Sequence, residues 1–369
     1  MPKLPFLLTG YLILCGLYGF GQPTPPTPKE TKTIDAFTRD LNNDLKRDGL
    51  HGSISAAVVR KDQLIWAGAA GYSVLDKDIS ADTGTIYRIA SISKMFAVTI
   101  LLQLVEEGKV RLDDPAEKYV PEVSSIPGYS NHTKFTLQQL ASHMSGLNRE
   151  PELSGASVGP VDRWEVKVLA CIPYSSFNSR PGEQFLYSNI GFALLGLALE
   201  RATGTPYIQL VQQRIFTPLH MDNSFFIVPD DKRGRLAQGM DNKKDGSVNT
   251  DLPTRTIDGM GYRVPNGGIW STASDLAKFA IALMSGKLLQ PASIRLMLTV
   301  PPGSRNYGMG AMIMHDRQLG MFGHDGSDPG YTSQLTIEPT SGYAVILLRN
   351  YNSGSTNLRE ISWQLIEDL

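Results

Sequence analysis

The sequence predicts an α+β fold: one antiparallel sheet built from both chain ends and flanked by helices, with a mostly helical region inserted between them. Three observations point there. Strand-like apolar runs occupy residues 52–67 and return after about residue 307. Between them the apolar spacing is helical and broken by loops. The 35 Gly and 23 Pro are spread along the chain, which suits a loop-rich mixed fold better than a helical bundle. The simplest packing pairs the two sets of strands in one sheet and lays helices over it.

The 369 residues suffice for one large or two medium domains, and 41% hydrophobic with 19% charged residues is ordinary for a globular chain. A formal net charge of -1 argues against a nucleic-acid partner. Residues 1–21 read as an export signal: Lys3, an apolar stretch over 11–17, and the small-x-small site Gly19-Phe20-Gly21, leaving Gln22 as the first mature residue. An uncleaved N-terminal membrane anchor is the competing reading, though the apolar run is short for a spanning helix. Export predicts a periplasmic or secreted protein. Leu14 before Cys15 is too large for a lipid-attachment box, so Cys15 leaves with the signal and Cys171 stands alone. One cysteine permits neither a disulfide framework nor a cysteine metal site, and Cys171 reads as a buried thiol. Residues 22–32 are Pro/Thr-rich and read as an extended linker. The folded domain follows over 33–368, its inserted helical part at about 110–265.

Ile34, Phe37, Leu41 and Leu45 recur at spacings of three and four and mark an amphipathic opening helix. Residues 52–59 read as a strand and 64–67 as its hairpin partner. A β-like run over 85–90 leads into a long apolar helix that stops at Gly108. Thr136-Leu137-Gln138-Gln139 is a capping box for a helix running to His143. Residues 189–203 read as a helix ended by Gly204, and Thr205-Pro206 opens another. Residues 241–256 are polar and read as an exposed loop. Thr272-Ala273-Ser274-Asp275 caps a helix ending near Gly286. Residues 334–338 and 343–348 form a hairpin, and Leu358, Ile361 and Leu365 share one face of a last helix. No repeat period is apparent.

Ser91-Ile92-Ser93-Lys94 stands where the β-like run gives way to the apolar helix. Ser and Lys three positions apart share one helix face. The helix N-terminus there favours developing negative charge, so Ser91 can be a nucleophile whose proton Lys94 manages. The plain alternative is a helix cap followed by a surface lysine. However, the helix is apolar nearly all round, and a lysine at the head of a buried helix needs a partner or a shifted pKa. Two further clusters follow. Tyr187-Ser188-Asn189 precedes the helix at 189, where Asn189 also reads as a plain N-cap. Gly323-His324-Asp325-Gly326-Ser327 precedes the terminal hairpin, and Gly326 admits another chain or a ligand close to the backbone. His324 has no second histidine at metal-ligand spacing and no His-Glu-x-x-His occurs, so neither a metal nor another cofactor is predicted.

Ser-x-x-Lys, then Tyr-Ser-Asn, then His-x-Gly is an ordered set that resembles the serine β-lactamase and penicillin-binding-protein superfamily. These versions are similar to the class C β-lactamase-related branch, which includes DD-peptidases, D-aminopeptidases and β-lactamase-like carboxylesterases. The resemblance covers about residues 35–368. It is supported by Tyr87-Arg88-Ile89-Ala90, Leu140-Ala141-Ser142-His143-Met144-Ser145-Gly146-Leu147, Pro181-Gly182, Gly267-Gly268-Ile269-Trp270-Ser271-Thr272 and Pro329-Gly330-Tyr331.

The resemblance implies roles. Ser91 is the acylated nucleophile, Lys94 holds its proton, and Tyr187 acts with Lys94 as general base. Their ordinary pKa values of about 10 and 10.4 must be lowered, the tyrosine's by a nearby ammonium and the lysine's by burial. Asn189 hydrogen-bonds Lys94 and a substrate amide. The backbone N–H groups of Ser91 and Ser327 form the oxyanion hole, and His324 lines the site opposite Tyr187. β-Lactamases usually carry lysine where His324 stands, a permanent cation that a mostly neutral histidine does not replace. The implied function is therefore an exported serine hydrolase acting on a D-amino-acid peptide or small ester. The alternatives are a true class C-type β-lactamase and a non-catalytic penicillin-binding or peptidoglycan sensor. The partner is a small-molecule or peptide substrate, and the sequence carries no signal of oligomeric state. A rival nucleophile, Gly155-Ala156-Ser157-Val158-Gly159, matches the Gly-x-Ser-x-Gly elbow, but no apolar strand precedes it and Pro151 and Pro160 bracket it.

Overall fold

The computed structural model describes residues 24–49, 52–242, 248–249, 259–316, 319–352 and 354–369. The export-signal reading at 1–21 lies outside them, as does most of the polar 241–256 stretch. Within that stretch, Asp241–Asn242 pairs antiparallel with Val248–Asn249.

The elements that position the site are helix α1 (Pro28–Asp48), strands β1 (Ser53–Arg60), β2 (Gln63–Val74) and β3 (Ile79–Ser80), and helices α2 (Ser93–Glu106), α3 (Asn189–Thr203) and α4 (Ala273–Met284). They are followed by strands β4 (Met312–Asp316), β5 (Leu319–Asp328), β6 (Tyr331–Glu338) and β7 (Tyr343–Arg349), and helix α5 (Leu358–Asp368). Seven strands form one antiparallel sheet in the order β3-β2-β1-β7-β6-β5-β4. The two chain ends meet at its centre, where β1 pairs β7 with Ala57 opposite Ile346. This is the α+β architecture that the strand runs at both ends predict.

Alternation along the central strands feeds two cores. Ala57, Val59, Ile346 and Leu348 face one cluster, and Ile54, Ala56, Val58, Val345 and Leu347 face the other. The second cluster is closed by α1 through Ile34, Phe37, Leu41 and Leu45, and by α5 through Leu358 and Leu365. The first is closed by α2, α3 and α4 with the inserted helical region. Both faces are covered, so β1 is buried along nearly its whole length.

Helix α1 begins earlier than the 22–32 linker reading allows. Thr27 Oγ1 accepts from the Glu30 N–H, the Glu30 carboxylate accepts from the Thr27 N–H, and Pro28 occupies the first turn. Glu30 also accepts from Arg60 Nη1 and Tyr343 Oη, each at 2.7 Å, which pins the helix start to β1 and β7. The helix opened by the Thr136 capping box is also shorter than expected. It ends at Ala141, because His143 takes a left-handed backbone with φ 59°. Cys171 is buried as expected, and burial pushes its thiol up to about 11.

Candidate active site

The turn that carries Ser91 is held by the strands around it. Tyr87–Arg88 pairs with Trp270–Ser271, and the Ile89 N–H donates to the Ile269 carbonyl at 3.0 Å. Ser333 Oγ, from β6, donates to the Ile89 carbonyl at 2.8 Å. Ala90 then adopts φ 46°, a region a side-chain-bearing residue rarely takes, and the chain passes through a single 3₁₀ turn over Ala90–Ile92 into α2. This places Ser91 partly exposed at the head of α2, with Lys94 one turn on and fully buried. Gly326 lies in β5 against the same turn: a Cβ there would run into the Ile89 carbonyl and the Ser333 hydroxyl. The glycine lets strand and turn touch.

The second wall comes from the loop before α3. Ser188 is the N-cap of α3, its Oγ accepting from the Gly191 N–H at 3.0 Å, so Asn189 is the first helical residue rather than the cap. The Ser188 N–H donates to His143 Nδ1 at 3.0 Å, and the His143 ring lies 4.1 Å from that of Tyr187, centroid to centroid. Thus His143 fixes both the backbone and the ring that present Tyr187. Burial, followed by Lys94 and His324, holds the His143 pKa well below the ordinary range, so it is neutral.

Three predicted residues converge. Tyr187 Oη donates to Ser91 Oγ at 2.9 Å, and Lys94 Nζ lies 3.1 Å from the same oxygen. Lys94 also donates to the Asn266 carbonyl at 2.9 Å and sits 4.8 Å from the Tyr187 ring centroid. Burial holds the Lys94 pKa well below the ordinary lysine value, Arg149 adding to the effect. Tyr187 departs from expectation. Burial pushes its pKa up rather than down, against the lowering effect of the Ser91 hydrogen bond.

Asn189 is also placed differently. Its Nδ2 donates to Glu150 Oε1 at 2.5 Å, and the expected bond to Lys94 is taken by the Asn266 carbonyl. The Asn189 Oδ1 is buried and has no partner among the described residues. Glu150 further accepts from Tyr262 Oη and, at 3.2 Å, from Arg263 Nη2. His324 is fully buried, its ring centroid 6.4 Å from that of Tyr187. Its Nδ1 donates to the Asp325 carbonyl at 2.5 Å and its Nε2 accepts from Tyr307 Oη at 3.0 Å. Burial lowers its pKa to about 4, so it presents no cation. Ser327 is exposed beside Gly326, opposite Thr332 of β6. Ser157, the rival nucleophile, lies in an exposed turn with no strand before it.

Sequence reasoning did not single out His143, Glu150, Asn266 or Tyr307. His143 stands inside a run already matched to the family pattern, and its burial between two predicted site elements was the available clue. Glu150 and Tyr307 had no local signal, since each acts on a residue distant in the chain.

A serine, a buried lysine and a tyrosine meet at one oxygen on this sheet, the arrangement the family resemblance leads one to expect. The chain belongs to the beta-lactamase family, whose model matches residues 37–367. It is 32% identical over 286 residues to Beta-lactamase-like protein 2 of Dictyostelium discoideum, covering 74% of this chain and 51% of that protein. It is 33% identical over 208 residues to the D-alanyl-D-alanine-carboxypeptidase/endopeptidase AmpH of Escherichia coli K12, covering 56% of this chain and 51% of that one. The chain thus spans about half the length of these relatives. Among solved structures, a D-stereospecific amidohydrolase from Streptomyces sp. superposes with a TM-score of 0.73 at 25% identity, over 90% of this chain and 97% of the other.

Proposed function

We propose that this protein is an exported serine hydrolase that cleaves an amide or ester through an acyl-enzyme on Ser91, with a D-amino-acid peptide or small ester as substrate. The observation that carries this is the convergence of Lys94 Nζ and Tyr187 Oη on Ser91 Oγ, at 3.1 and 2.9 Å. A neutral Lys94, with an N–H on the Asn266 carbonyl, has a lone pair for the Ser91 proton. Ser91 Oγ attacks the carbonyl carbon as that proton passes to Lys94. The oxyanion is met by the backbone N–H groups of Ser91 and Ser327. Tyr187, kept protonated by burial, gives its proton to the departing nitrogen or oxygen. The resulting phenolate is balanced by the Lys94 ammonium. In deacylation the phenolate takes a proton from water, the hydroxide attacks the acyl carbon, and Ser91 Oγ leaves with the proton from Lys94. The unpartnered Asn189 Oδ1 is the acceptor for a substrate N–H.

The D-stereospecific substrate class is supported by the names of AmpH and of the Streptomyces amidohydrolase. A neutral, buried His324 favours peptide or ester over β-lactam. Export rests on the charged, apolar and small-residue pattern of residues 1–21. Steady-state hydrolysis of a 4-nitrophenyl ester and a D-alanyl-D-alanine peptide by wild type and Ser91→Ala tests the reading. The variant is expected to lose turnover of both, and activity within tenfold of wild type would end the proposal.

A further inference from the structure

The loop that carries Glu150 also places a second charged side chain at the site, and the roles above leave it unused. The Arg149 guanidinium lies 4.8 Å from the centroid of the Tyr187 ring. Its main chain is anchored beside the start of α3, where the Arg149 carbonyl accepts from the Asn189 N–H at 2.9 Å. Its side chain is nonetheless 66% exposed. It makes no side-chain hydrogen bond among the described residues. The nearest carboxylate, Glu150, is 3.8 Å away and already accepts from Asn189, Tyr262 and Arg263.

The other basic groups around Ser91 are committed or neutral. Arg263 is held by Glu150 and lies near Asp328, Arg88 is buried against Asp328, and Arg359 is paired with Asp325. Lys94 and His324 are fully buried and favour their neutral forms. A guanidinium laid on an aromatic face keeps its edge N–H groups free for two parallel bonds to a carboxylate.

We propose that Arg149 is a specificity-determining residue that selects amide or ester substrates carrying a carboxylate close to the scissile carbonyl. The inference rests on the reading of Ser91 as the acylated nucleophile. The charge of Arg149 meets the substrate's anion where a neutral His324 does not, and the Tyr187 ring beneath it sets the distance from that anion to the reacting carbon.

The test uses two matched pairs. One carries the charge on the acyl side: 4-nitrophenyl hydrogen adipate against 4-nitrophenyl methyl adipate. The other carries it on the leaving side: N-acetyl-D-alanyl-D-lactate against its methyl ester. The ratio of kcat/KM within each pair is measured for wild type, Arg149→Ala and Arg149→Lys, with Ser91→Ala as background. Using a ratio cancels any general slowing from a shifted Tyr187. In at least one pair wild type is expected to prefer the anion about tenfold, the scale of a charge-assisted hydrogen bond. Arg149→Ala is expected to bring that ratio to about one, and Arg149→Lys to keep part of it. Ser91-dependent hydrolysis with no anion preference in either pair, or a preference that survives Arg149→Ala, overturns the role of Arg149 and leaves the nucleophile reading standing. Hydrolysis that persists in Ser91→Ala, or none in wild type, overturns both.

Discussion

Asn189 Nδ2 donates to Glu150 Oε1 over 2.5 Å, joining residues 39 positions apart across the wall of the site. A primary amide has one donor end and one acceptor end. Tying the nitrogen to Glu150 therefore fixes which way the oxygen faces. Replacing Glu150 with Gln removes the charge that holds Asn189, Tyr262 and Arg263 together. A hydrogen bond to a charged group contributes about 1.5–3 kcal/mol, so kcat/KM is expected to fall about tenfold or more. Steady-state kinetics beside a thermal melt check this, and an unchanged kcat/KM would free Asn189 from any dependence on Glu150.

The Lys94 environment sets a pH profile. Burial lowers its pKa, so the amine is neutral above that lowered value and protonated below it. Activity is expected to rise with pH through one ionisation lying below the ordinary lysine range, about 10.4. Lys94→Arg, a cation at every working pH, is expected to remove the rise and about three orders of magnitude of rate. A pH–rate profile of kcat/KM for both proteins decides it. Wild-type kcat/KM and pH dependence retained in Lys94→Arg would remove Lys94 from the base role.

His324 links acid to stability. Its folded pKa, about 4, is depressed below the ordinary histidine value of 6.5. Between the two values the unfolded chain binds more protons than the folded one, so stability falls as pH drops from about 6.5 toward 4. Lys94 and Tyr307 face the ring from other elements, Asp325 adjoins it, and Arg359 acts from α5. The urea midpoint is expected to fall between pH 7 and 5, and to fall less in His324→Asn. Equal slopes would show that His324 is not the group responsible.

The sheet was legible because alternation and turn residues are local. Residues 52–59 and 343–348 each announce a strand, and pairing the two ends follows from burying both. Ser91, Lys94 and Tyr187 were legible because each stands at a helix start within a recognisable run, and the structure brings all three together. The start of α1 was obscured because Pro23, Pro25, Pro26 and Pro28 read alike, although the last of them opens a helix. The partners of Lys94 and Asn189 could not be read, since a backbone carbonyl at 266 and a carboxylate at 150 reach them only through the fold. The direction of the Tyr187 pKa needed the depth of burial, which no local pattern encodes.

The proposed hydrolysis requires a covalent bond to Ser91 Oγ, which intact-protein mass detects. Wild type and Ser91→Ala would be mixed with excess 4-nitrophenyl acetate, quenched in acid within seconds, and weighed before and after proteolytic mapping. The expected result is one acetyl group on wild type, mapped to the peptide holding Ser91, that disappears as turnover ends and never forms on the variant. Acetylation mapped to Ser157, or rapid nitrophenolate release with no acetyl on Ser91, would contradict it.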